Sequence, residues 1–206
     1  MKLYELIENG GPVMWPLLVC SLVVLTVIGE RLLFWWQIHR RRNRKLMDEL
    51  LHLAESGKWQ EIKEKSQGCE DHVIRMLNVG ILHRDFDMGR AMEAEALHTV
   101  KKMSQCMTIL DTMITVTPLM GILGTVIGII GSFKMLGAGG IADPKLVTGG
   151  IAQALITTAT GLSISIFAVF PYNYFKAKIE HAMHIMEKYA TSLEVVYEKL
   201  ESHHEA

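Results

Sequence analysis

The sequence lacks the short motifs that mark most nucleotide-binding and hydrolytic enzymes. Its 206 residues contain no GxxxxGK[ST] phosphate loop, no GxSxG nucleophile elbow and no HExxH zinc motif. The formal net charge of -1 at pH 7 supplies no large positive field for nucleic acid. These absences argue against an enzyme and against a nucleic-acid-binding protein, and we expect no cofactor.

Cysteine is scarce, and histidine is scattered. The three cysteines, Cys20, Cys69 and Cys106, have no CxxC spacing, and their odd number does not suggest a disulfide framework. Nine histidines are spread along the chain, and the pair His203–His204 is at best a weak surface metal ligand. The sequence therefore predicts no metal site.

Charge is missing from three long apolar blocks, although 21% of the chain is charged. A helix that crosses a bilayer needs about 20 apolar residues. Trp15 and the pair Trp35–Trp36 flank the first block, as in the aromatic belts of membrane interfaces. We predict an all-α membrane protein with three transmembrane helices: span one (12–36), span two (112–136) and span three (149–174).

The positions of lysine and arginine predict the orientation. Arg40–Lys45 follows span one, Lys101–Lys102 precedes span two, and Lys176 and Lys178 follow span three. The start of the chain lacks the features of a cleavable signal, so we expect span one to remain as an anchor. The remaining segments are then a periplasmic N-terminus (1–11), a cytoplasmic helical domain (37–111), a periplasmic loop (137–148) and a cytoplasmic C-terminal helix and tail (175–206).

Helical patterns continue through the segments outside the spans. Three short helices are predicted before residue 84, and Asp85 or Asp87 can cap a long fourth helix that leads into span two. A heptad seam runs along this helix and consists of Ala96, Val100, Met103, Met107, Leu110 and Ile114. A second seam runs along the helix after span three and consists of Ile179, Met183, Met186, Ala190, Leu193, Tyr197 and Leu200. We predict that the two helices pack against each other; a coiled-coil dimer is the alternative.

Small and polar residues line one side of spans two and three. Gly121, Gly124 and Gly128 recur at spacings of three and four, which favours close helix packing. Thr125 lies beside this stripe near the middle of span two. Span three carries the polar residues Gln153, Thr157, Thr158, Thr160 and Ser165. These side chains suit either hydrogen bonding between helices or a lined pore.

Acidic and basic residues occur only near the ends of the spans. Glu30 and Arg31 form a predicted interfacial pair, in which Arg31 extends to the lipid headgroups. Asp111 opens span two, either as a solvated carboxylate or as the inner exit of a proton path. Because none of the spans has such a residue at mid-membrane, a proton path would need a titrating group from another chain.

Two motifs carry a resemblance to a known family. Residues 117–128, TPLMGILGTVIG, resemble the second-span signature of ExbB and TolQ, and residues 150–162, GIAQALITTATGL, resemble their third-span signature. The pair Glu30–Arg31 at the end of span one fits as well. Flagellar MotA proteins are similar in these spans but have four of them.

The resemblance implies a homo-pentamer in the bacterial inner membrane. A dimer of ExbD- or TolR-like single-span helices would fill its central pore and carry the titrating aspartate. Thr125 and Thr158 match the pore-lining threonines of the two motifs. Motion of the partner helices would be passed to a TonB- or TolA-like protein for transport across the outer membrane.

One position departs from the family pattern. The third-span motif usually has glutamate where this chain has Gln153, which cannot ionise. A proton-binding role is therefore not carried over to Gln153, and a sodium-coupled variant is conceivable.

Three other readings of the residues stay open. A TolQ-like subunit would serve envelope maintenance. A small-solute transporter or passive channel would act without a partner chain, and a membrane scaffold would conduct no ions.

Overall fold

The structure is a computed structural model that describes the backbone of residues 10–138 and 144–204 and the side chains of residues 10–134 and 148–202. Residues 1–9 of the predicted periplasmic N-terminus, residues 139–143 of the predicted loop and the last two residues of the tail lie outside this description. The side chains of His203 and His204 also lie outside it.

The described residues form helices and contain no β-strand. In chain order the helices are α1 (Met14–Arg41), α2 (Arg44–Glu55), α3 (Trp59–Ser66), α4 (His72–Leu82), α5 (Met88–Met103), α6 (Met107–Ala138) and α7 (Pro144–His204).

Three of these helices are long and apolar enough to cross a membrane. Their apolar stretches are Met14–Arg41, Met107–Lys134 and Thr148–Ser202, and the most apolar 18 residues within each have mean hydropathies of 2.2, 2.1 and 1.7. A soluble protein would bury such stretches, but only 17–28% of each most apolar window is buried here. The predicted class, an all-α membrane protein with three spanning helices, is confirmed.

Side-chain caps and glycines delimit the shorter helices. Asn43, Asp71 and Asp87 each accept a hydrogen bond from a backbone N–H in the first turn of α2, α4 and α5. These caps satisfy donors that have no partner within the helix. Gly57 and Gly68 have φ values of 67° and 79°, in the region where side chains are disfavoured, and they follow the ends of α2 and α3.

The chain divides into two units, which we call the span unit (1–31 and 106–174) and the helix-cluster unit (32–105 and 175–206). The helix-cluster unit has a hydrophobic core to which α2, α3, α4, α5 and the C-terminal part of α7 contribute. Its fully or almost fully buried members include Met47, Leu50, Ile62, Ile74, Leu77, Met92, Met186 and Leu193.

The C-terminal seam folds onto this core within a single chain. Met186 and Leu193 are core residues, and Ala96, Val100 and Ala190 pack against the same cluster. Part of each predicted seam therefore packs within the chain on this core. The predicted register is wrong at Met183, which is 45% exposed, because its neighbour Ala182 takes the buried position instead.

The prediction of one continuous helix from Asp87 into span two is also wrong. Helix α5 ends at Met103 and α6 starts at Met107. Ser104 ends α5, and Cys106 has a φ of 65°, which interrupts the helical backbone. The heptad pattern alone could not reveal this break, because the apolar spacing continues across it.

Candidate functional site

Helices α6 and α7 approach each other closely at small residues. A Cβ atom on Gly121 would lie 3.0 Å from Thr158 Cα, and one on Gly124 would lie 2.5 Å from Thr157 Oγ1. A Cβ on Gly128 would lie 3.0 Å from the carbonyl oxygen of Gly150. We call this contact of Gly121, Gly124 and Gly128 with α7 the α6–α7 seam. Only glycine allows the backbones to approach this far.

Two threonines of α7 lie in the seam with different partners. Thr158 is half-buried, and its hydroxyl donates to the carbonyl oxygen of Gly121 at 2.9 Å. Thr157 is buried and donates to the carbonyl oxygen of Ala154 on its own helix at 2.8 Å. Thr158 therefore joins the two helices, whereas Thr157 fills the space beside Gly124.

Pro118 gives the seam a second hydrogen bond between the helices. Proline has no N–H, so the carbonyl oxygen of Ile114, four residues earlier, loses its helical partner. Ser165 of α7 donates to this oxygen at 2.7 Å. Polar groups at membrane depth must find partners inside the protein, and Ser165 supplies one here.

Thr125 and Asp111 lie on α6 outside these contacts. Thr125 is half-buried, and its hydroxyl donates to the carbonyl oxygen of Ile122 at 2.6 Å. Asp111 is exposed, ten residues before Gly121, or about 15 Å along the helix axis. The structure thus brings Thr157 and Thr158 to the glycines but leaves Asp111 apart from them.

Gln153 lines a cleft of about 380 Å³ in the span unit. The other lining residues include Gly124, Gly128 and Ser132 of α6. The Gln153 amide packs on the backbone of Gly11, because a Cβ there would lie 1.7 Å from Gln153 Nε2. Gly11 has a φ of 72°, so both its conformation and its contact require glycine.

Glu30 and Arg31 form an ion pair in which each guanidinium contact, from Nε and from an Nη, meets a different carboxylate oxygen. The side chain of Arg31 is 2% exposed and that of Glu30 is 48% exposed. The prediction that Arg31 extends to the headgroups is wrong, because the protein encloses its guanidinium. A cation is buried favourably only with such paired, hydrogen-bonded geometry.

Helix α1 packs on the other two spanning helices through its first turns. Val13, Met14 and Leu17 are buried, and Met120 of α6 and Ile164 of α7 pack against them. The Cys20 thiol lies 4.0 Å from the sulfur of Met120. Helix α1 therefore supports the pair α6–α7, while its exposed side includes Val19, Leu22 and Leu25.

The sequence analysis does not single out three small residues of α7 that lie in the seam, Gly150, Ala154 and Gly161. A Cβ on Gly161 would lie 2.4 Å from the carbonyl oxygen of Thr117, and one on Gly150 would lie 2.0 Å from Ser132 Oγ. Gly150, Ala154, Thr157 and Gly161 recur at spacings of three and four, which is the signal that could have revealed this second stripe. The polarity of span three does not by itself reveal this stripe.

The chemistry available at the seam is that of uncharged hydroxyl and amide groups. In the part of the chain that the structure describes, no cluster of three His, Cys, Asp or Glu side chains could hold a metal ion. Such groups can line a water path or receive a polar side chain from another chain, but they cannot change charge themselves.

Comparison with known proteins gives one consistent family. Residues 70–188, more than half of the chain, match the MotA/TolQ/ExbB proton channel family. The chain is 31% identical over 197 residues to the biopolymer transport protein ExbB-like 3 of Synechocystis sp., with 92% of each chain covered. It is 33% identical over 204 residues to the Tol-Pal system protein TolQ of Pseudomonas aeruginosa, with 87% of this chain and 85% of the relative covered.

The matched region contains the seam of α6 with α7, where the two sequence motifs lie. A membrane location and a relation to channel and transport proteins follow from the three apolar helices and from these matches. The chain belongs to the MotA/TolQ/ExbB proton channel family.

Proposed function

We propose that this chain is an ExbB-like stator subunit of the bacterial inner membrane. With an ExbD-like single-span partner it converts the proton motive force into mechanical work on a TonB-like protein, for transport across the outer membrane. Its N-terminus and the loop between α6 and α7 face the periplasm, and the helix-cluster unit faces the cytoplasm. The basic residues after span one support this orientation.

The observation that carries the proposal is a polar but uncharged seam between two spanning helices. Thr125, Thr158 and Gln153, which lie in or beside this seam and are half-buried, would supply hydroxyl and amide groups to a partner helix or a water path, whereas the buried Thr157 fills the seam beside Gly124. Asp111 is the proposed exit at the cytoplasmic end. The titrating group then comes from the partner, because spans two and three have no acidic or basic residue between Thr112 and Phe133 or between Gly149 and Tyr174.

Exposed apolar side chains support an oligomer, which we propose is a homo-pentamer. Ile122, Val126, Ile129 and Phe133 recur along α6 and are 42–68% exposed in the single chain. A face of this kind must be covered by lipid or by neighbouring subunits. A ring of subunits would cover part of it and enclose a central pore for the partner dimer.

Replacement of Thr158 tests the proposed pathway. In vesicles that contain this chain and its single-span partner, Thr158→Val should reduce partner-dependent proton uptake about tenfold, the factor that corresponds to about 1.4 kcal/mol. The substitution keeps the side-chain volume but removes the hydroxyl that donates to Gly121. Thr158→Ser should restore most of the uptake because it restores the donor.

Ser163→Ala is the matched control, since Ser163 is exposed on the same helix and donates only to Ala159 on its own helix. Uptake by this variant should equal that of the wild type. Subunit assembly is measured in parallel by the mass of the purified complex. Unchanged uptake in an assembled Thr158→Val complex would exclude the pathway, and uptake by this chain alone would support a passive channel instead.

A TolQ-like role is the second candidate, because the identity to the TolQ protein of Pseudomonas aeruginosa, 33%, is as high as that to the ExbB-like protein. Deletion of the gene separates the two roles. Loss of energised uptake across the outer membrane supports the ExbB-like role, whereas an envelope defect with normal uptake supports the TolQ-like role.

A further inference from the structure

A pocket of about 200 Å³ lies in the helix-cluster unit beside the last turns of α1. Its walls come from the end of α1, the start of α4 and the end of α5. Its lining includes Phe34, Arg41, His72, Arg75, Thr99 and Lys102. Its volume is below the roughly 300–1,000 Å³ typical of sites for drug-sized ligands, so it suits a headgroup rather than a nucleotide.

The charges around the pocket favour a phosphate. Three cations, Arg41, Arg75 and Lys102, line it together with two carboxylates, Glu70 and Asp71. Arginine and lysine are the side chains that most often hold phosphate groups in proteins. The lining therefore has one more cation than carboxylate, a balance that suits an anion.

Both carboxylates have partners of their own. The two Asp71 oxygens accept backbone N–H groups, from Asn43 and from Val73. Glu70 pairs with Arg41 at 2.9 Å. Arg75 in turn donates from Nε to Glu95 at 2.7 Å. Because a guanidinium has five N–H donors, each arginine keeps donors beyond its one carboxylate.

The first turn of α4, which Asp71 already caps, forms part of the same wall. Helix α4 has 11 residues and begins at His72, within the pocket wall. The amides and the dipole of a helix N-terminus attract anions. Burial lowers the pKa of His72 from 6.5, and Arg42 and Arg75 lower it further against the raising effect of Asp71.

A buried hydroxyl in the pocket wall has no hydrogen-bond partner. Thr99 is 5% exposed and lines the pocket, and its Oγ1 has no hydrogen-bond partner. Thr112 and Thr160, by contrast, donate to the carbonyl four residues earlier. A buried hydroxyl left unpaired costs about 1–3 kcal/mol, which a bound acceptor would remove.

The position of the pocket favours a membrane lipid as the source of the phosphate. Helix α1 is an apolar spanning helix, and Phe34 and Ile38 near its end form the apolar part of the wall. On the same helix, Trp36 is 58% exposed and lies 4.9 Å from the Arg40 guanidinium. Exposed tryptophan beside arginine is typical of the membrane interface, where lipid phosphates lie.

We propose that this pocket binds the phosphate of a membrane phospholipid headgroup, with the Thr99 hydroxyl and the cations of Arg75 and Lys102 as donors. The acyl chains would lie along the apolar end of α1, beside Phe34. The proposal rests on the membrane location of the chain and is independent of proton transport.

Binding of defined lipids to the full-length protein in detergent tests the proposal. Native mass spectrometry should detect retained phosphatidylglycerol or phosphatidylethanolamine but not diacylglycerol, which has the same chains without a phosphate. Thr99→Val should weaken phospholipid binding about tenfold, as expected for a lost hydrogen bond to a charged group. Lys102→Gln should weaken it several-fold, and the neighbouring Lys101→Gln, outside the pocket wall, should not.

The unfolding temperature of lipid-free protein separates binding from folding. Because Thr99 Oγ1 has no partner, Thr99→Val should leave this temperature unchanged or raise it while phospholipid affinity falls. Equal phospholipid affinity of wild type and Thr99→Val would overturn the proposal. Binding of diacylglycerol as tight as that of phospholipid would overturn it too. Competition by millimolar inorganic phosphate would assign the pocket to a soluble phosphate and overturn the lipid source.

Discussion

Hydroxyl side chains of α6 and α7 find their acceptors in two ways. Thr112 and Thr160 donate to a carbonyl on their own helix, as threonine commonly does in spanning helices. Thr158 and Ser165 donate to carbonyl oxygens of α6 instead. The sequence shows a polar side of span three but cannot tell these cases apart, because the choice depends on which carbonyl of the neighbouring helix lies within reach.

The hydrogen bond of Ser165 should depend on Pro118. Ser165→Ala should destabilise the protein by about 0.6–1.7 kcal/mol, the range for such bonds in membranes, because the Ile114 oxygen loses its donor. In a Pro118→Ala background the same substitution should cost almost nothing, since residue 118 then supplies an N–H. Unfolding of the four variants in a double-mutant cycle measures this coupling. Equal costs in both backgrounds would contradict it.

His72 should make the stability of the helix-cluster unit sensitive to acid. Burial, aided by Arg42 and Arg75, lowers the pKa of the folded imidazole from 6.5, so the unfolded chain binds a proton first as the pH falls. The contribution of His72 to the free energy of unfolding is therefore greatest above pH 6.5, and it decreases as the pH falls from there through the pKa of the folded state.

Thermal unfolding of the wild type and of His72→Gln at pH 5–8 checks this sign. The wild type should lose more stability than the variant below pH 6.5. Parallel curves for the two proteins would show that other groups cause the acid sensitivity. His39, on an exposed position of α1, offers a control in His39→Gln, which should follow the wild-type curve.

At the scale of helices, α6 and α7 pack through two complementary stripes of small residues. Gly121, Gly124 and Gly128 on α6 meet Ala154, Thr157 and Thr158 on α7. The stripe on α6 could be predicted from its spacing, and its partner stripe could have been predicted in the same way. Which glycines make contact depends on the tertiary structure: Gly131 continues the spacing, but a methyl group on it would meet no atom of another helix within 4 Å.

Gly161→Ala should therefore disturb the packing, and Gly131→Ala should not. The new methyl group at position 161 would lie 2.4 Å from the Thr117 carbonyl oxygen, so the helices must separate, at a cost of about 1–3 kcal/mol. At position 131 the methyl group has open space, and alanine favours the helix over glycine. Denaturant titration of purified protein in detergent measures both variants. Equal unfolding midpoints for the two would contradict the close approach at Gly161.

Sequence patterns predicted the short helices well because their ends are determined locally. Asp87 caps α5 as predicted, and the three short helices predicted before residue 84 are present, with Gly57 and Gly68 between them. The interruption at Cys106 and the burial of Ala182 in place of Met183 were missed. Both follow from how the helices meet, and periodicity along one helix carries no information on that.

At the scale of the whole molecule, the exposed apolar surface is the feature that one chain leaves unexplained. Most of each apolar window stays exposed, although the helices α1, α6 and α7 contact one another. Membrane lipid and further subunits are the natural cover for it. The sequence could not predict the burial of Arg31. Adjacent Glu30 and Arg31 have the pattern of a solvated ion pair, and only the fold shows that the guanidinium is enclosed.

The bond between Ser165 and the carbonyl left open by Pro118 also constrains how such a chain can evolve. A lineage that first exchanges Pro118 for a residue with an N–H releases position 165 to drift toward alanine. The reverse order passes through an ancestor with an orphaned carbonyl inside the bilayer. Replacement of Pro118 before Ser165 is therefore tolerated, whereas replacement of Ser165 before Pro118 is selected against.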